Sequence, residues 1–276
     1  MPQDIGFYSS ELTKQKALLM AQIAKDVYIK NADGSPDEPA ILKSLKNHDA
    51  GFQAVVGTSK NSAQGALVEH EKFICLVFRG TDEWQDWLDN LSALSVELPY
   101  GDFHSGFHES CEDVWNPLFR EYQRARKKEA RPLYIVGHSL GGGMATVAAA
   151  KLVEMDLPFS GVYTFGQPRA TKRETARMIS KECSGRYFRF HNNSDLVTRM
   201  PARLMNYSHV GQCVYITEDG EFETNPGFWF RFLDFASGAV EEIKEQLLEN
   251  GDLNLMEDHM MTSYISKIEA GDFSSL

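Results

Sequence analysis

The stretch Val136-Gly137-His138-Ser139-Leu140-Gly141-Gly142-Gly143 decides how the rest of the chain is read. It carries G-x-S-x-G between a short apolar run, Leu133 to Val136, and an Ala-rich run from Leu140 to Met155 with apolar residues at helical spacing. A strand that turns through glycines into a helix lifts a serine hydroxyl above the sheet, and the flanking glycines keep side chains out of crowded space. Three fixed residues of ordinary abundance recur by chance in roughly one chain in ten of this length. The flanking strand and helix make the motif a nucleophile elbow; the alternative is a Gly-rich turn with an idle serine.

The chain has 276 residues, 42% hydrophobic and 24% charged, which suits one sizeable α/β core, so a single domain is expected over 1–276. A formal net charge of -11 argues against nucleic acid and against anionic membrane surfaces as partners. Met1-Pro2-Gln3-Asp4-Ile5 has neither a basic nor an apolar leader character, and no run approaches the length of a membrane span. A cytoplasmic protein is expected, or a secreted one whose leader is not in this sequence. Cys75, Cys111, Cys183 and Cys213 lack C-x-x-C spacing, so no zinc or redox site is expected, and Cys75 reads as a reduced core residue.

Along the chain, Glu11 to Tyr28 reads as a helix and Asn31 to Pro39 as a polar turn. Phe52 to Gly57 and Gly65 to Glu69 read as strands, and Phe73 to Phe78 as a central strand buried on both faces. Next, Trp84, Trp87, Leu88 and Leu91 fall at i, i+3, i+4 and i+7 behind Thr81, predicting an amphipathic helix. Placed after a buried strand, that segment is either a cover over the site, with Trp84, Trp87 and Leu88 facing substrate, or a surface helix with its tryptophans in the core. Phe107 to Lys128 reads as a helix kinked at Pro117, Gly161 to Phe165 and Arg186 to His191 as strands, and Arg169 to Lys181 as a helix. This alternation predicts a mostly parallel sheet with helices on both faces. Gly211 to Phe222 reads as a hairpin, and Asn225-Pro226 opens a helix closing at Asn250-Gly251 whose surplus aromatics Phe228, Phe230 and Phe235 wall a pocket or form a lipid-facing surface, or else belong to a helix buried on two sides.

A serine hydroxyl needs a histidine base and an acid that orients it. In the α/β-hydrolase fold the acid and then the histidine follow the serine. Asp195 comes just past the strand Tyr187 to Phe190, at the sheet edge expected to hold the elbow, whereas Glu154 and Asp156 end the elbow's own helix. His138 is expected to point away from the serine's partner, and His191 precedes the acid. His209 and His259 both satisfy the order, and the residues alone do not separate them.

Read in succession, Phe78-Arg79-Gly80-Thr81, Asp86-Trp87-Leu88-Asp89-Asn90-Leu91, His104-Ser105-Gly106-Phe107, Gly137-His138-Ser139-Leu140-Gly141-Gly142, Thr164-Phe165-Gly166-Gln167-Pro168-Arg169, Asn192 to Pro201, and Asp258-His259 with Tyr264 resemble the motifs of the class 3 lipases, the fungal-lipase-like triacylglycerol lipases. The resemblance spans residues 52 to 265. It implies an α/β-hydrolase fold and an ester hydrolase without metal or cofactor, with Ser139 as nucleophile, Asp195 as acid and His259 as base. It also implies an oxyanion hole from Thr81 and the Leu140 amide, His209 as a structural histidine, and a lid over 82–92. The implied partner is a lipid or other ester, met transiently at a lipid–water interface. A short-chain or feruloyl-type esterase and a phospholipase A1 are the neighbouring readings, and a non-catalytic binding protein of the same fold the distant one.

Three departures stand out. Thr198 takes the place of a proline in the family's D-x-V-P-R-x-P, Thr81 that of a common serine, and the helix over 226–250 has no counterpart among these motifs.

Overall fold

The computed structural model describes residues 6–81, 94–193, 195–225, 227, 257–274 and 276. The expected lid, with Trp84, Trp87 and Leu88, and the expected helix over 226–250 lie outside them.

Period-2 burial explains the central sheet. In β3 (Phe73–Arg79) every residue is buried: Ile74, Leu76 and Phe78 enter one core, Phe73, Cys75 and Val77 the other. Its neighbours are β2 (Ala63–His70) and β6 (Leu133–His138). With β1 (Phe52–Lys60), β7 (Gly161–Phe165), β9 (Tyr187–Asn192), β11 (Gln212–Ile216) and β12 (Phe222–Thr224), they form an eight-stranded sheet in the order β1-β2-β3-β6-β7-β9-β11-β12. The five strands β3, β6, β7, β9 and β11 run parallel, and antiparallel pairs close both edges. The mostly parallel sheet expected from the sequence is present.

Helices cover both faces. On one lie α3 (Ser105–Lys128), with Pro117 inside it, and α4 (Leu140–Glu154). Every residue of α4 from Leu140 to Ala150 is buried, as an all-apolar helix between sheet and neighbour must be. On the other face lie α1 (Lys14–Asp26), α2 (Glu38–His48) and α6 (Met261–Ala270). All four cysteines are free and buried. Among the described residues no helix is long and apolar enough to cross a membrane.

Two expectations are corrected. Asn31 to Pro39 does not remain a turn to its end: Asp37 caps α2, accepting from the Ala40 N–H at 3.0 Å, and Pro39 sits in the first turn, where its missing donor costs nothing. The helix expected from Arg169 begins later, as α5 (Arg173–Glu182), because the short strand β8 (Thr171–Lys172) pairs instead with β10 (Tyr207–Ser208). With β5 (Gly101–His104) and β4 (Ser95–Leu98) these make a second, four-stranded sheet.

Candidate active site

The elbow joins β6 to α4. Ser139 has φ +56° and ψ −128°, a conformation that L-residues avoid and that costs on the order of 1–3 kcal/mol where packing enforces it. The packing is tight: a Cβ at Gly137 would lie 2.1 Å from the Gly141 carbonyl oxygen, and one at Gly141 would lie 2.1 Å from that of Phe78. Only glycine allows β6, α4 and the end of β3 to meet here. The Ser139 N–H donates to the Phe165 carbonyl at 3.0 Å, tying the turn to β7.

Ser139, Asp195 and His259 come together although far apart in sequence. His259 Nε2 lies 2.9 Å from Ser139 Oγ, and His259 Nδ1 lies 3.0 Å from each oxygen of Asp195. Asp195 is fully buried just past β9, and its carboxylate also accepts from the Val197 N–H at 3.1 Å and from the Tyr264 hydroxyl at 2.7 Å. Burial, and then the Asp195 charge, push the Tyr264 phenol well above its ordinary range, so it remains an O–H donor. A carboxylate held by these donors keeps a fixed orientation toward the imidazole, and the imidazole can accept the serine proton.

The two histidines that order alone left open occupy different places. His259 reaches Ser139, whereas His209 donates from Nε2 to the Thr198 carbonyl at 2.8 Å, behind the acid loop. Burial, reinforced by Arg189 and Arg169, holds His209 well below the usual histidine range and therefore neutral. Thr198, where the resembling family has proline, fixes this loop by hydrogen bonds instead: its hydroxyl donates to the Asp195 carbonyl at 2.7 Å and accepts from His191 Nε2 at 2.9 Å.

His138 corrects another expectation. It does not point away from the serine's partner: its ring lies against that of His259, with centroids 4.7 Å apart and planes at 34°. The ring is held on that side by its hydrogen bonds, from Nε2 to the His259 carbonyl oxygen at 2.8 Å and between Nδ1 and the Tyr28 hydroxyl at 2.7 Å. Of the two expected oxyanion donors, Leu140 opens α4, where its N–H has no intrahelical acceptor. Thr81 follows Gly80, whose backbone passes so close that an added Cβ would lie 3.0 Å from Ser139 Cβ.

Sequence reasoning placed Gly166 in a family motif but gave it no role. It ends β7 with φ +57°, and a Cβ there would stand 2.8 Å from an Asp195 oxygen and 2.9 Å from the His259 ring. A glycine directly after an apolar strand was the available signal. Among the described residues no cluster of His, Cys, Asp and Glu is arranged to hold a metal ion.

Comparison with known proteins agrees with this architecture. The secreted mono- and diacylglycerol lipase 1 of Fusarium solani is 32% identical over 163 residues, 56% of this chain and 48% of the relative. The lipase of Rhizomucor miehei is 28% identical over 166 residues, 57% of this chain and 46% of the relative. The chain thus matches about half the length of each. Lipase II from Rhizopus niveus has a similar fold, with a TM-score of 0.66 at 20% identity over 74% of this chain and 81% of that one. The family model described as lipase (class 3) matches residues 75–205, a run that holds the elbow and the acid loop and stops short of His259. Over that segment the chain is similar to the class 3 lipases, and its fold is similar to that of Lipase II from Rhizopus niveus.

Proposed function

We propose that this protein is a serine hydrolase of carboxylic esters, with acylglycerols as its substrates. One observation carries the reading: a buried aspartate, a histidine and a strained serine lie in hydrogen-bond sequence at 3.0 and 2.9 Å. In the proposed reaction His259 Nε2 takes the Ser139 proton as Oγ attacks the ester carbonyl, while Asp195 holds Nδ1–H and balances the imidazolium. The Thr81 side and the Leu140 N–H receive the negative oxygen of the tetrahedral intermediate. His259 then returns the proton to the departing alcohol, leaving an acyl group on Ser139. Water, activated by the same histidine, releases the acid and restores the serine.

For the acylglycerol part of the reading, Met260 beside the base follows His259 in the chain and is 51% exposed, an apolar side chain that an acyl chain could meet. Relatives named as mono- and diacylglycerol lipases favour the same class. A panel of soluble short-chain esters, emulsified mono-, di- and triacylglycerols and a phospholipid tests it. Higher turnover on emulsified acylglycerols than on soluble esters is expected. A purely hyperbolic response with preference for soluble esters, or for the phospholipid, would replace acylglycerols as the substrate.

A further inference from the structure

The proposed reaction leaves unused a partly buried hydrogen-bonded line that begins outside the family-matched segment. Tyr28 lies just past the end of α1, and its hydroxyl oxygen accepts from the Gly80 N–H at 3.0 Å. The same hydroxyl is 2.7 Å from His138 Nδ1, and His138 Nε2 is 2.8 Å from the His259 carbonyl oxygen. A carbonyl only accepts, so His138 carries its proton on Nε2. Burial, and then the neighbouring His259, lower the His138 pKa to about 3, so the ring is neutral at ordinary pH and its Nδ1 accepts. The Tyr28 O–H must therefore be the donor to Nδ1. Each proton in the line has one consistent place: Gly80 N–H to Tyr28, Tyr28 O–H to His138, His138 N–H to the His259 backbone.

Its two ends matter. Gly80 precedes Thr81, and the His259 carbonyl belongs to the residue whose ring faces Ser139. We infer that Tyr28, acting through His138, is a positioning residue that holds the Thr81 loop and the backbone of His259 in register with Ser139, touching neither substrate nor the reacting atoms. The inference rests on the ester-hydrolase reading. The tyrosine ring has a separate hold, the Arg79 guanidinium 5.3 Å from its centroid, so removing the hydroxyl alone leaves that packing in place.

Tyr28→Phe and His138→Gln cut the line at different points. With the geometry of base and oxyanion donors loosened, each is expected to lower kcat by about 10- to 100-fold with KM within about twofold. The double variant should lose no more than the worse single one, because both break one line. Nitrogen-15 NMR of wild type should show His138 as the Nε2–H tautomer, with the Nδ1 signal moving in Tyr28→Phe. Unchanged kcat in Tyr28→Phe, additive losses in the double variant, or a proton on Nδ1 in wild type would each overturn the role of Tyr28 while ester turnover by wild type stands. Absence of ester turnover by wild type would instead overturn the hydrolase reading, and the positioning role with it.

Discussion

At the scale of single residues, the two histidines after the acid differ in what they touch, and so in what their loss should do. His259 bridges Ser139 and Asp195, whereas His209 holds the Thr198 carbonyl and is kept neutral by burial and nearby arginines. His259→Ala should keep the fold and lower kcat by about 10⁴-fold, the scale expected for a triad member. His209→Ala should leave the Thr198 carbonyl without its donor and cost about 1–3 kcal/mol of stability, with far smaller change in kcat of the folded fraction. Steady-state kinetics beside urea unfolding separates the two; the reverse pattern would mean that the base is misassigned. Order along the chain could not make this distinction, because both residues follow Asp195 and only the folded path of the loop before α6 tells which reaches the elbow.

Among elements, the contact of β3, β6 and α4 is what makes a strained serine affordable. Gly141 lies against the backbone of Phe78, not against a side chain that could swing aside. Gly141→Ala is therefore expected to push β3 and α4 apart and to lower the thermal midpoint by several degrees at least, since about 1 kcal/mol corresponds to roughly 2–4 °C in a chain of this size. A melting curve within a degree of wild type would show that the elbow has slack. Elements with strong periodicity were legible in the sequence: β3 as an unbroken apolar run, α4 as an all-apolar helix, α3 from its stripe of Phe107, Cys111, Val114 and Leu118. Those with little periodicity were not. In α2 only Ile41 and Leu45 are buried, too few for a pattern to emerge from the polar stretch before it, although Asp37 and Pro39 were a helix-start signal. The second sheet is built from strands of two to four residues, and its pairing of Thr171 with Phe103 and Ser208 is set by tertiary contacts that no local alternation encodes.

Over the whole molecule, five parallel strands bring their C-terminal ends to one edge, the side on which open α/β sheets bind ligands. The elbow after β6, Gly166 after β7 and the acid loop after β9 arise there as consequences of one topology. Ser139 and Asp195 were legible in the sequence as candidates because each comes within a few residues of the end of an apolar strand. Their contacts were not: Tyr28, His138, Gly166 and Tyr264 meet partners from segments remote in the chain. The central claim is that Ser139, driven by His259 and Asp195, attacks an ester carbonyl. The most direct measurement treats wild type, Ser139→Ala and His259→Ala with a fluorophosphonate ester, maps the modified peptide by mass spectrometry, and follows ester hydrolysis in the same samples. Labelling confined to Ser139, slowed by at least about a hundredfold in His259→Ala and accompanied by stoichiometric loss of turnover, is predicted. Labelling at another residue, or ester turnover preserved in Ser139→Ala, would contradict the account.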